Sequence, residues 1–164
     1  MSVESTTAHL VVVSDRAATD PSENRAAPIL EQALGELGTR VGTSIVANEP
    51  DEVRQALAAA VRTADVVITI GGTGIRPGDC VVDLTAELEP LELPGLAEEI
   101  RRRGAQRTAA SLLSRGLCGL VADGQRRVLV VNSPSSRGGA QDVADVLGAV
   151  LEHLVRDLGG HERV

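Results

Sequence analysis

Two hydrophobic periods alternate along this chain. Residues 8–13 (AHLVVV) and 66–70 (VVITI) are short, mostly apolar and rich in β-branched residues, the pattern of strands buried on both faces. Residues 41–47 form a weaker strand pattern. Residues 117–122 and 128–132 read as two strands of a hairpin turning at Asp123-Gly124. Helical spacing fills the intervals. Leu30, Ala33, Leu34 and Leu37 share one face of a helix over 25–37 that Gly38 can stop. Pro50 suits the first turn of the next helix, along which Val53, Leu57, Val61 and Ala64 line up. A short helix is expected over 83–88, another from Pro94-Gly95 to Arg103, and a last one carrying Val143, Leu147, Val150, Leu151, Leu154 and Leu158 in one stripe. Residues 109–114 fit no single period. Residues 1–7 read as a flexible polar N-terminus and 159–164 as a tail, leaving one domain over 8–158.

Strands that alternate with helices imply an open, mostly parallel α/β sheet. Ligands of such sheets bind outside the carboxyl ends of the strands. Polar loops follow the strands there: Ser14-Asp15-Arg16, Asn48-Glu49, Gly71-Gly72-Thr73-Gly74 and Ser133-Pro134-Ser135-Ser136. The Gly71–Gly74 turn is the most telling, because glycines leave backbone N–H groups free to wrap an anion. Asp79 follows it, a carboxylate able to hold a metal ion or a proton. Pro77 stands where a dinucleotide fingerprint needs its third glycine, and no Gly-Lys-Ser/Thr follows, so neither a Rossmann fingerprint nor a P-loop is present. Each loop also has a plainer reading. The turn can be structural, Asp15 can close an Asx turn, Asn48 or Glu49 can cap a helix, and a serine of 133–136 can cap the last one. Ser114-Arg115, just before a strand, is a further candidate donor pair.

Composition narrows the chemistry. The chain has no Phe, Tyr or Trp, so no aromatic side chain can stack on a flat heterocycle. All 16 basic residues are Arg. A Walker lysine, a Schiff base and a lysyl-nucleotide intermediate are thereby excluded. Backbone N–H groups, Arg or a divalent cation must meet any phosphate. A net charge of -7 argues against nucleic acid as partner, and Arg101-Arg102-Arg103 reads as a solvated helix end. The absence of a long apolar run or a leader pattern argues against a membrane partner and makes the cytoplasm the expected location. Cys80 and Cys118 read as reduced thiols. His9, His153 and His161 fall in a strand, a helix and the tail, away from the loops, so acid–base work would fall to carboxylates.

Taken together, VVVSDR at 11–16, ITIGGTG-x4-D at 68–79, LPGLAEEIR at 93–101, LSRGLCG at 113–119 and LVVNSPSS at 129–136 resemble the molybdopterin adenylyltransferase family of Mog and MoaB type, related to the gephyrin and Cnx1 G domains. The resemblance covers about residues 8–158. It implies a three-layer α/β sandwich around a mostly parallel sheet, a homotrimer, and a place among other molybdenum-cofactor biosynthesis proteins. It implies that ATP and molybdopterin are joined, with Mg²⁺, into adenylylated molybdopterin and pyrophosphate. It implies that Gly71, Gly72, Thr73 and Gly74 cradle ligand. Asp79 would support catalysis or the metal. Ser14, Asp15, Ser114, Arg115, Ser133, Pro134, Ser135 and Ser136 would contact nucleotide or pterin.

The departures from the family pattern cluster at the site. Asn48 occupies a position where the family usually has a second catalytic Asp, and an amide is neither a base nor an anionic metal ligand. Glu49 and Asp83 are the nearby carboxylates that could compensate. Asn24-Arg25-Ala26-Ala27-Pro28 replaces Asp-x-Ser-Gly-Pro. Asp79-Cys80-Val81-Val82-Asp83 replaces Asp-Val-Thr-Pro-Glu, and Ser133-Pro134-Ser135-Ser136-Arg137 replaces Leu-Pro-Gly-Ser-Pro. Two rival readings therefore stand beside the enzyme: a non-catalytic pterin-binding or scaffold protein of the same fold, and an α/β module for another phosphorylated metabolite.

Overall fold

The computed structural model describes residues 2–159. One six-stranded sheet organises them: β1 (Thr7–Val13), β2 (Arg40–Val46), β3 (Val66–Ile70), β4 (Leu91–Glu92), β5 (Cys118–Asp123) and β6 (Arg126–Ser133). Their order across the sheet is β2-β1-β3-β6-β5-β4. The first four in that order are parallel; β5 pairs antiparallel with β6 and β4 antiparallel with β5, so β5 alone is reversed. The hairpin expected at Asp123-Gly124 is present, with Gly124 at φ +60 and Asp123 paired to Arg126.

Strand side chains alternate between two faces, which is why the apolar runs need no polar positions. Leu10, Val12, Ile68, Ile70, Leu129 and Val131 face α2 (Ala27–Glu36), α5 (Pro94–Ala105) and α6 (Arg137–Gly159). Val11, Val13, Val67, Val128 and Val130 face α3 (Pro50–Thr63) and α4 (Val81–Ala86). The result is the three-layer α/β sandwich the resemblance implied.

Most expected elements appear with ends shifted by a few residues, and three features differ in kind. The loop expected after β1 contains α1 (Asp15–Thr19) and a 3-10 turn over Pro21–Glu23, each capped by its own polar side chain. Ser14 Oγ accepts the Ala17 N–H at 3.2 Å, and Asp20 Oδ1 accepts the Ser22 N–H at 3.0 Å. The stretch 109–114, which had no clear period, folds as a 3-10 turn over Ala109–Leu113. Strand β4 is two residues long, too short to leave a pattern. At the chain's start, Val3–Ser5 forms a 3-10 turn. His161 lies outside the described residues.

The chain leaves β1 toward β2 and then crosses to β3 on the other side of β1. This reversal opens a crevice at the carboxyl ends of β1 and β3. Beside it, a buried polar knot ties β3, β6 and α4 together. Asn132 Nδ2 donates to Thr69 Oγ1 at 2.9 Å and to Thr85 Oγ1 at 3.0 Å, and its Oδ1 accepts the Leu117 N–H at 3.1 Å. Truncating Asn132 removes all three bonds and the tie between β3, β6 and α4, which costs about 2–4 kcal/mol. Asn132→Ala should therefore lower the urea midpoint with an unchanged m-value, followed by far-UV circular dichroism. An unchanged midpoint would show that the knot carries no stability.

Candidate functional site

The Gly71–Gly74 turn leaves β3 where three strand ends meet. Gly71 N donates to Ser133 O at 2.9 Å, fastening the end of β3 to the end of β6. Gly71 has φ +105, and a Cβ there would stand 2.6 Å from Val13 O at the end of β1. Gly72 has φ +64, and a Cβ would press 2.4 Å from Val81 Cγ2. Both positions need glycine for backbone conformation and for space. At Gly74 the obstacle is functional: a Cβ would meet Asp79 Oδ2 at 2.6 Å. Asp79 itself is fixed by the loop, its Oδ2 accepting the Arg76 N–H at 3.0 Å.

Arg115 braces this loop from behind. Its Nε donates to Gly74 O at 2.9 Å and its Nη2 to Asp79 O at 2.7 Å. The same guanidinium makes a two-pronged pair with Asp83 at 2.9 and 3.0 Å, and its backbone N–H donates to Thr73 O at 2.8 Å. The Arg115 hydrogen bonds hold the Asp83 carboxyl below its ordinary value. Arg101 braces the next segment, its Nη1 donating to Gly116 O at 2.7 Å. Of the Arg101-Arg102-Arg103 run, only Arg102 and Arg103 behave as a helix surface, both pairing with Glu99.

Two clefts open on this edge. The first, about 410 Å³, runs from the glycine turn and Asp79 past Ser114 to α5 and the start of α6. The second, about 430 Å³, is lined by Ser14, Glu23 and three arginines, Arg16, Arg25 and Arg137. Ser135 and Ser136 line both clefts and form the partition between them. The cap expected in this loop is present, Ser136 Oγ accepting the Gly139 N–H at 3.0 Å.

The expected residues thus divide by position. Gly72, Thr73, Gly74, Asp79, Ser114, Pro134, Ser135 and Ser136 line the first cleft, and Ser14 the second. Gly71, Ser133 and Arg115 line neither and act as frame; Ser133 is fully buried, its Oγ donating to Pro134 O at 3.0 Å. Asp15 and Asn48 meet at the neighbouring loop, where Asp15 Oδ1 accepts the Asn48 N–H at 2.8 Å. Asn48 Nδ2 donates to Gly78 O at 2.8 Å, a bond an Asp could not make. Asn24 likewise fixes the entry to α2, its Oδ1 accepting the Ala27 N–H at 3.1 Å. Of the two compensating carboxylates, Asp83 is held by Arg115, and Glu49 is exposed at the start of α3. Sequence reasoning missed Arg101, Gly104 and Asp142 in the first cleft and Arg25 and Arg137 in the second.

A divalent cation could be held only in part by protein. Among the described residues, no three His, Cys, Asp or Glu side chains cluster as a metal cage. Asp79, with one oxygen bonded to the Arg76 N–H, offers a single carboxylate, which suits Mg²⁺ completed by substrate phosphates and water. The thiols do not enter this chemistry. Cys118 is buried, and burial pushes its thiol up to about 12. Cys80 lies with its sulfur 3.9 Å from Asn48 Oδ1.

Comparison with known proteins agrees with this geometry. Residues 9–153 match the family described as a probable molybdopterin binding domain. The molybdenum cofactor synthesis protein cinnamon of Drosophila melanogaster is 32% identical, over 96% of this chain and 26% of its own. A molybdopterin adenylyltransferase of Pyrococcus furiosus is 29% identical over 90% of this chain and 88% of its own. The crystal structure of a molybdopterin biosynthesis protein from Mycobacterium abscessus superimposes with a TM-score of 0.86 at 32% identity, covering 96% of this chain and 98% of that one. The chain spans only a quarter to about half the length of several curated relatives, among them two bifunctional molybdenum cofactor biosynthesis proteins. No described helix is long and apolar enough to cross a membrane. In sequence, in fold and in the loops gathered at its strand ends, this chain belongs to the molybdopterin-binding domain family, and its relatives include proteins named for molybdenum-cofactor synthesis.

Proposed function

We propose that this domain binds molybdopterin and ATP side by side and transfers AMP to the pterin's phosphate, releasing pyrophosphate. The observation that carries the reading is the pair of clefts sharing Ser135 and Ser136. One cleft has a backbone anion cradle and a carboxylate. The other has three guanidinium groups suited to a polyphosphate in a chain without lysine. In the transfer, a terminal phosphate oxygen of molybdopterin forms a bond to the α-phosphorus of ATP. The bond from that phosphorus to the β-phosphate bridge breaks, and pyrophosphate leaves. Mg²⁺ held by Asp79 and the phosphates would offset the developing charge. The chain's own part is positioning: N–H groups of the glycine turn hold one phosphate, and the arginine-lined cleft holds the other.

Binding without turnover is the second reading, and one observation favours it. Asn48 is committed to the Gly78 carbonyl, so the loop after β2 supplies no free carboxylate at that position. The wider proposal is a homotrimer working in the cytoplasm alongside other proteins of the same biosynthesis. An apolar groove of Leu93, Leu96, Leu120, Val150 and Leu154, between the start of α5 and the end of α6, supports contact between copies.

Incubating the protein with molybdopterin, ATP and Mg²⁺ should yield adenylylated molybdopterin and pyrophosphate by mass spectrometry. Bound pterin without product would select the second reading; absence of pterin binding would end both. The brace has its own signature. Asp83 is held below its ordinary value of 3.8, so the stability it adds is present above that pH and is lost only as pH falls through the lower folded value. Arg115→Lys, which cannot reproduce the two-pronged contact, should return the Asp83 carboxyl titration toward 3.8 by carbon-13 NMR and weaken ligand binding by roughly tenfold. An unmoved titration would show that Arg115 does not hold Asp83 in solution.

A further inference from the structure

Among the described residues, Asp142 is the only charged side chain that is buried, at 3% exposure. It lies in the first turns of α6 and lines the first cleft together with Ile100, Gly104 and Gly139. Arg107 pairs with its Oδ2 and also donates to Gly138 O at 2.9 Å. No described residue donates to Oδ1. Nor is Oδ1 sealed from solvent: among the described residues, Thr39 Oγ1 is the one fully enclosed side-chain N or O atom without a hydrogen-bond partner. Asp142 lines the first cleft, the space from which a ligand donor would reach this oxygen. Gly104 lets α5 lie close to this site: a Cβ there would collide with Ser111 Oγ at 2.6 Å and stand 3.5 Å from Asp142 Oδ2. A buried carboxylate with unused acceptor capacity is unfavourable unless a ligand donor completes it.

The proposed ligand has such donors. Resting on the molybdopterin reading above, we propose that Asp142 determines specificity for the pterin ring, its carboxylate accepting the adjacent N3–H and 2-amino groups of the 2-amino-4-oxopyrimidine edge. Two parallel N–H bonds to one carboxylate are the arrangement that makes guanidinium–carboxylate pairs strong, and each carboxylate oxygen has room for a second bond beside Arg107. This places the ring at the α5–α6 end and leaves its phosphate arm toward the glycine turn. It also answers the missing aromatics: with no side chain to stack on the ring, edge recognition supplies the discrimination.

The test compares 6-hydroxymethylpterin monophosphate with its analogue in which oxygen replaces the 2-amino group. The chain has no Trp or Tyr, so pterin fluorescence is read without protein background. Wild type should bind the 2-amino compound roughly 10- to 100-fold more tightly. Asp142→Asn should lose most of that preference while its circular dichroism stays folded. Arg107→Met, which removes the structural partner and keeps the carboxylate, should retain the preference. Equal binding of both compounds by wild type, or a preference lost equally in Arg107→Met, would overturn the assignment while leaving pterin binding intact. No binding of either compound by wild type would overturn the ligand reading and this assignment together. If Asp142→Asn fails to fold, the wild-type ratio and Arg107→Met still decide.

Discussion

The architecture of the site depends on one steric constraint: the chain leaving β3 has no room for side chains. At Gly71 the nearest obstacle is the carbonyl of Val13 in β1; at Gly72 it is Val81 at the start of α4. The same residues carry positive φ, so packing and backbone conformation make one demand. Because Gly71 can lie so close, its N–H reaches Ser133 and joins the ends of β1, β3 and β6 at the point where the strand order reverses. The polar knot around Asn132 holds α4, and with it Val81, at the distance this turn requires.

Charge is distributed around that turn in a way that follows from composition. With arginine as the only long cation, planar guanidinium groups serve two purposes. Arg115 and Arg101 are spent inward, on carbonyls of the loops that carry Asp79 and Ser114. Arg16, Arg25 and Arg137 face the second cleft. A lysine, with a single point of charge, could not span Gly74, Asp79 and Asp83 as Arg115 does.

The sheet was legible because β1 and β3 are apolar on both faces, and the helices because Leu30 and Leu34, Val53 and Leu57, and Val143 and Leu147 recur at helical spacing. The family resemblance rested on loop motifs whose members do gather at one edge. Local capping was less legible: α1 is short and mostly polar, and its start depends on one bond from Ala17 to Ser14. Roles within motifs were not readable either. Ser133 and Ser135 look alike in sequence, yet the first is sealed inside the sheet and the second lines both clefts. Asn48 and Asn24 looked like losses against the family pattern, but each makes a backbone contact that fixes its loop. Asp142 gave no signal, because a lone acid in a helix is ordinarily solvated and only the packing of α5 against α6 buries it.

The central claim is that the turn at Gly74, beside Asp79, is where ligand phosphate is held. Gly74→Ala isolates it, since Gly74 does not have positive φ and the added methyl meets only the Asp79 carboxylate. Isothermal titration of the variant with ATP and with molybdopterin, alongside its thermal midpoint, gives the direct answer. The account predicts a loss of affinity of roughly tenfold or more for the ligand seated at the turn, with the midpoint nearly unchanged. Wild-type affinity for both ligands in the folded variant would contradict it.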